Sequence, residues 1–209
     1  MSKTIKNFFG FKTQKQNTTD CHLFRKLKKH ALAIDCGANL GDVSLKMAEH
    51  GATVFAFEPN PYAFDVLHQR LASFHHVHLY NKAVHIKNEC MRLYLHENAP
   101  QDQVHWSTGS SLLNFKGNVN RNTSVEVQTI DIVEFIRQLN CDVALMKLDV
   151  EGVECPIINR LIDTRLVHRV KQLLVETHDH KIPELRAETD ALRKRINGLQ
   201  LQNIFLDWV

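Results

Sequence analysis

Short apolar runs alternate along the chain with longer segments whose apolar residues recur every three or four positions. Leu32-Ala33-Ile34-Asp35 reads as a buried strand, and a glycine-containing turn follows it. A helix from about 41 to 50 carries Val43, Leu45, Met47 and Ala48. A second strand over 53–57 runs into Glu58-Pro59-Asn60-Pro61, where proline suits a helix start. Ala63, Val66, Leu67, Leu71 and Phe74 then keep helical spacing. The same reading places strands at 77–82, 91–96 and 124–129, and a helix capped by Asp131 and running to 139. A strand at 143–148, a helix over 155–166, a strand at 172–176, a long helix from 183 to about 199 and a strand at 204–208 complete it. This alternation predicts an α/β fold, a doubly wound, mostly parallel, Rossmann-like sheet with helices on both faces.

Two stretches break the pattern. Residues 1–21 are polar and rich in Lys, Gln, Asn and Thr, and are expected to form a mobile leader. Residues 22–209 are expected to form one domain. Within it, 97–123 is a 27-residue segment, many of its residues Asn, Gln, Ser or Gly, with no clear period, the pattern of a lid, a binding loop or disorder and read here as a substrate loop. Charge is divided along the same lines. Residues 1–30 hold eight Lys or Arg against the single acid Asp20, whereas the rest of the chain is net −4. A body of that sign is a poor nucleic-acid binder, so no nucleic acid is expected. The basic leader, with Phe8, Phe9 and Phe11, suits peripheral contact with an anionic membrane surface. No apolar run approaches the roughly 18 residues of a membrane span, and no signal-peptide pattern is present. Five cysteines without a CxxC spacing read as reduced thiols, which makes a cytoplasmic location the expectation.

In a doubly wound sheet, ligands sit at the carboxyl ends of the strands. The polar residues there are Asp35, Glu58, Asn81, Asp149 with Glu151, and Glu176 with His178, expected to meet in one crevice. The first strand ends in Asp35-Cys36-Gly37-Ala38-Asn39-Leu40-Gly41. This is neither the G-x-G-x-x-G turn of a dinucleotide site nor a Walker loop. An acid opening the turn suits a cationic ligand better than a phosphate. Glu58, ending the second strand, is placed to accept hydrogen bonds from both hydroxyls of a ribose. An acid, a glycine turn and a ribose acid without phosphate machinery fit S-adenosylmethionine. The other reading open here is that Asp35 caps a helix and the glycines only turn the chain.

Further motifs extend the likeness. They are Phe57-Glu58-Pro59-Asn60, Asn81-Lys82-Ala83-Val84, Gly109-Ser110-Ser111-Leu112, residues 127–131, the run from Lys147 through Glu154, and Val175-Glu176-Thr177-His178. With the Asp35–Gly41 turn, they resemble the FkbM-type methyltransferases, a class I S-adenosylmethionine-dependent family, over about three-quarters of the chain. The resemblance implies that Asp35, Gly37, Asn39 and Gly41, with Ala38 among them, hold the methionine part. Glu58 beside Pro59 would hold the ribose, with Asn60 and Ala83 near the adenine. It also implies O-methylation of a sugar, glycan or other small hydroxylated metabolite. Class I sheets often finish with an antiparallel hairpin. One strand follows the last helix here, so a shortened C-terminal edge, or one covered by a second subunit, is expected.

The transfer needs a base or a cation beside the acceptor oxygen. Asp149, Glu151 and His178 are the residue types for that work, and Ser110 and Ser111 are candidates to face substrate. An alternative arrangement is a divalent ion, Mg or Mn, held by Asp149 and Glu151, with His178 as an optional third ligand. Glu154 reads as a helix N-terminal acid near the macrodipole. Two competing functions remain: a non-catalytic binding protein on the same fold, and a nicotinamide-dependent oxidoreductase, which the missing glycine at position 39 disfavours.

Overall fold

The computed structural model describes residues 24, 27–206 and 208. The leader, its phenylalanines and Cys21 therefore lie outside the described residues. Six strands form one sheet in which every pairing is parallel. In space they run β3 (Val77–Tyr80), β2 (Thr53–Phe57), β1 (Leu32–Cys36), β7 (Val143–Leu148), β8 (Leu173–Val175), β9 (Ile204–Phe205). The order reverses beside β1, so β1 and β7 border the switch-point crevice.

Alternation along each strand sends neighbours to opposite faces, and both faces are covered, which is why these strands read as nearly unbroken apolar runs. Ile34, Met146, Leu148, Leu173 and Val175 pack on one face against α3 (Ile132–Gln138), α4 (Glu154–Asp163) and α5 (Arg186–Gly198). Ala33, Val54, Ala56, Leu145 and Leu174 pack on the other against α1 (Asp42–Glu49) and α2 (Pro61–Leu71). The caps follow local chemistry. The Asn60 side chain accepts from Tyr62 N–H with Pro61 at the first helical position of α2, and Asp131 accepts from Val133 and Glu134 N–H at the start of α3.

The largest departures from the sequence expectation fall at three places. The strand expected over 77–82 stops at Tyr80, and β4 (Ala83–His85) leaves for a second, three-stranded sheet in the order β4-β6-β5. In that sheet β5 (Cys90–His96) runs antiparallel to a long β6 (Val119–Asp131), so residues 119–123 of the expected loop are strand. The helix over 155–166 ends at Asp163, because Arg165 turns into the left-handed region (φ 59°). The two-residue β9 does make a short C-terminal edge. Cys36, Cys90, Cys141 and Cys155 are free thiols. No helix among the described residues is long and apolar enough to cross a membrane.

Candidate functional site

The turn after β1 is shaped by close backbone approach. Gly37 has φ +79°, and a Cβ there would lie 1.8 Å from the Asp149 carbonyl oxygen, so no side chain fits. Gly37 and Ala38 N–H both donate to Phe57 O, and Asp149 N–H donates to Cys36 O. These bonds tie the tips of β1, β2 and β7 together. Glu58 stands at this junction, 5% exposed, with Oε2 accepting from Asn39 N–H (2.7 Å) and Oε1 from Asn60 N–H (2.8 Å). Burial raises its carboxyl pKa to about 7, although the two N–H donors oppose the shift.

A cavity of about 100 Å³ opens here, walled by Gly37, Asn39, Glu58, Pro59 and Ala83, with Asp149 and Glu151 also in the wall. Its cover is the segment read as a loop. Tyr94 and Ser111 exchange backbone hydrogen bonds, which fold the segment back over β5. Ser107, Ser110 and Ser111 face the cavity, and all three are buried. Asn39 Nδ2 donates to Ser107 Oγ (3.1 Å), Asn60 Nδ2 lies 3.5 Å from Ser110 Oγ, and Ser111 Oγ donates to Glu151 O (2.7 Å).

Beside the cavity, ionisable groups interlock. Asp35 and Lys147 are register partners on adjacent strands, and both are buried. Lys147 Nζ donates to Gly37 O (2.6 Å) and lies 3.0 Å from Asp149 Oδ2 and 3.6 Å from Asp35 Oδ1. Burial disfavours this ammonium, but the Asp149 and Asp35 carboxylates outweigh it and hold the pKa above the ordinary lysine value. Glu151 sits in the left-handed region (φ 58°), a strained placement for a non-glycine residue. Burial works against its charge, yet His178 and the Lys116 ammonium more than offset that and hold it at about 2. His178, 1% exposed, contacts Glu154 Oε1 through Nδ1 at 2.9 Å. Burial opposes its charge as well, but Glu151 and Glu154 raise the imidazole pKa to about 10.

The structure places the expected site residues at different depths around this cavity. Asp35 does not wall the cavity: it accepts from Ser44 Oγ (2.6 Å) beneath the turn, fully buried, where burial raises its pKa. Gly41 and Ala38 lie off the cavity too. Gly41 holds φ +91°, a left-handed backbone that strains any side chain, and Leu67 Cδ1 would lie 2.6 Å from a Cβ there. Asn60 is the α2 cap, with its Nδ2 beside the cavity-facing Ser110. Glu154 does more than face a helix dipole, since its buried carboxylate accepts from Val150 and Gly152 N–H and holds His178. His178 has its Nδ1 held by Glu154, and the neighbouring carboxylates raise its pKa, so they favour the protonated ring. Two participants escape a reading of the sequence. Lys147 becomes visible as the partner of Asp35 only once strand register is known. Lys116 carries no signal, as a lysine in a polar loop ordinarily points to solvent.

The family described as Methyltransferase FkbM domain matches residues 35–202. No curated protein matches the chain. Among solved structures, the chain is similar to P. horikoshii TYW2 in complex with MeSAdo, at 26% identity over 31% of this chain and 26% of that one, with a TM-score of 0.29. It is also similar to an rRNA methylase from Streptococcus thermophilus, at 11% identity over 86% of this chain and 76% of that one, with a TM-score of 0.48. The first likeness thus spans about a quarter of the other chain, and neither carries a functional argument.

Proposed function

The chain belongs to the methyltransferase FkbM family, and from that premise we propose that it binds S-adenosylmethionine at the covered cavity and methylates a hydroxyl of a sugar, glycan or other small metabolite. The observation that carries this reading is the placement of Glu58. Its carboxylate stands in the cavity wall beside Gly37 and Asn39, with Asp149 and Glu151 in the same wall. Each Glu58 oxygen uses one lone pair on a backbone N–H, which leaves acceptor capacity for a pair of ribose hydroxyls. The carboxylates suit a positively charged nucleoside without phosphates.

The donor set fits that cofactor in kind, and the cavity of about 100 Å³ is tight for a nucleoside-sized ligand. The Asn39–Ser107 contact ties the cover to the turn after β1, so a shift of the cover that releases it would widen the cavity. When bound, the cofactor supplies an electrophilic methyl group on a good sulfonium leaving group. The chain's own part is to hold the acceptor in line and keep water out. Asp149, part-exposed in the wall, accepts the hydrogen bond of the acceptor hydroxyl and then its proton. Lys147, 3.0 Å from its Oδ2, orients it, with His178 Nε2 3.7 Å from the other oxygen.

Calorimetric titration against S-adenosylhomocysteine and NAD tests the cofactor. Binding of the first and not the second is expected, and the reverse selects an oxidoreductase. Mass spectrometry of hydroxylated metabolites and glycans incubated with S-adenosylmethionine tests the reaction. A methyl gain that Asp149→Asn abolishes is expected. Cofactor binding without any methylated product across the panel favours a non-catalytic binding protein.

A further inference from the structure

His178 Nε2 is buried and has no hydrogen-bond partner. Three carboxylates surround it nonetheless: Glu151 Oε2 at 3.1 Å, without hydrogen-bond geometry, and Asp149 Oδ1 and Glu176 Oε1 at 3.7 Å each. Nε2 is paired with these acids by proximity alone: it is aligned for a hydrogen bond with none of them, an arrangement that a shared central ligand would complete. The other face of the ring is fixed. Nδ1 contacts Glu154, whose carboxylate also accepts two backbone N–H groups. A carboxylate that orients a histidine through its far nitrogen is the usual support behind a metal-ligating imidazole.

We infer that Asp149, Glu151 and His178 Nε2 form a binding site for one divalent cation, which Lys116 occupies with its ammonium group when the cation is absent. The ligand atoms of the three residues lie within 4.8 Å of one another. Each acid around Nε2 already carries one lysine: Lys147 on Asp149, Lys116 on Glu151 and Lys181 on Glu176. Lys147 is held from behind by Asp35 and Gly37 O, and Lys181 lies on the outside. Lys116 alone of these comes from the cover over the cavity. It is buried, with Gly109 O as its second partner. A cation bound at Nε2 replaces the proton there and displaces Lys116 from Glu151, which frees one anchor of the cover. Two carboxylates and one imidazole, with positions open to the cavity, suit Mn²⁺ better than the purely oxygen-seeking Mg²⁺. Resting on the methyltransferase reading, such a cation would polarise the acceptor hydroxyl next to Asp149.

Mn²⁺ titration of chelator-treated full-length protein by calorimetry tests the site, with circular dichroism as the folding check. Stoichiometric binding is expected, weakened at least about tenfold in His178→Gln and Glu151→Gln. Lys116→Met removes the competing ammonium and should tighten binding about threefold or more, a gain that misfolding cannot produce. Lys171→Met, at a distant surface pair with Asp142, should change nothing. Absence of stoichiometric Mn²⁺ binding, or equal affinity in wild type and His178→Gln, overturns the site. Lys116→Met binding no tighter than wild type overturns the role of the lysine. S-adenosylhomocysteine titrated into the same samples separates the two readings. If it binds while Mn²⁺ does not, the cation site falls and the cofactor reading stands. If Mn²⁺ binds while S-adenosylhomocysteine does not, the cofactor reading falls and the cation site stands.

Discussion

The two ends of the parallel sheet are made of different matter. Toward the amino end, Ala33, Val54, Val143 and Leu145 are essentially inaccessible and purely apolar. Two residues further along β1 and β7, on the same face, Asp35 and Lys147 are as deeply buried but ionisable. Beyond them come Glu58, Glu154 and His178. A buried aliphatic side chain contributes about 1.5–3 kcal/mol from area alone. Buried ion pairs return little net stability, because desolvation consumes most of the Coulomb gain. The apolar end therefore holds the fold, and the charged end is retained for what it binds. The two should fail differently when altered.

The largest expected effect is at the charged end. Lys147→Met leaves Asp35 and Asp149 without their shared cation and should cost about 3–5 kcal/mol at neutral pH, read from urea unfolding. A loss below about 1 kcal/mol would mean that the pair is not the keystone of the strand tips. Leu145→Ala, two residues earlier in β7, should cost about 2–5 kcal/mol by opening a cavity, yet leave S-adenosylhomocysteine affinity of the folded protein unchanged. A matching fall in affinity would erase the distinction between the ends.

The smallest and most diagnostic effect belongs to Glu58. Glu58→Gln should weaken S-adenosylhomocysteine binding by about 1–3 kcal/mol at pH 8. Its folded pKa of about 7 lies above the ordinary 4.5, so the native state holds a proton that the unfolded chain releases. Stability from this group is therefore present below pH 4.5 and lost as pH rises through about 7. Binding runs the other way, because the ionised carboxylate accepts ribose hydroxyls better. Affinity should fall as pH drops through about 7 in the wild type and stay flat in Glu58→Gln. Calorimetry across pH 6 to 8 that finds the same slope in both proteins would detach Glu58 from the ribose.

Legibility differs between the two ends for the same reason. Apolar alternation marks strands in any context, so β1, β2 and β7 can be located from residue pattern alone, and Val143–Leu148 falls on the expected boundaries. Proline and asparagine at 60–61 and the aspartate at 131 announce their caps through local hydrogen bonding. At the charged end, residue type names the participants without stating which way each one faces. Asp35 and Glu58 both end strands next to turns, yet one is sealed under Ser44 and the other stands in the cavity wall.

The chain by itself determined the order of strands and helices, the turn glycine at 37 and the gathering of acids at one edge of the sheet, because these follow from periodicity, backbone sterics and the strand-end rule. Only the tertiary structure decided that Lys147 stands opposite Asp35, that Lys116 comes down from the cover onto Glu151, and that His178 is turned by Glu154 toward three carboxylates. Those relations join residues 24 to 112 positions apart, and no local propensity encodes a distance between them.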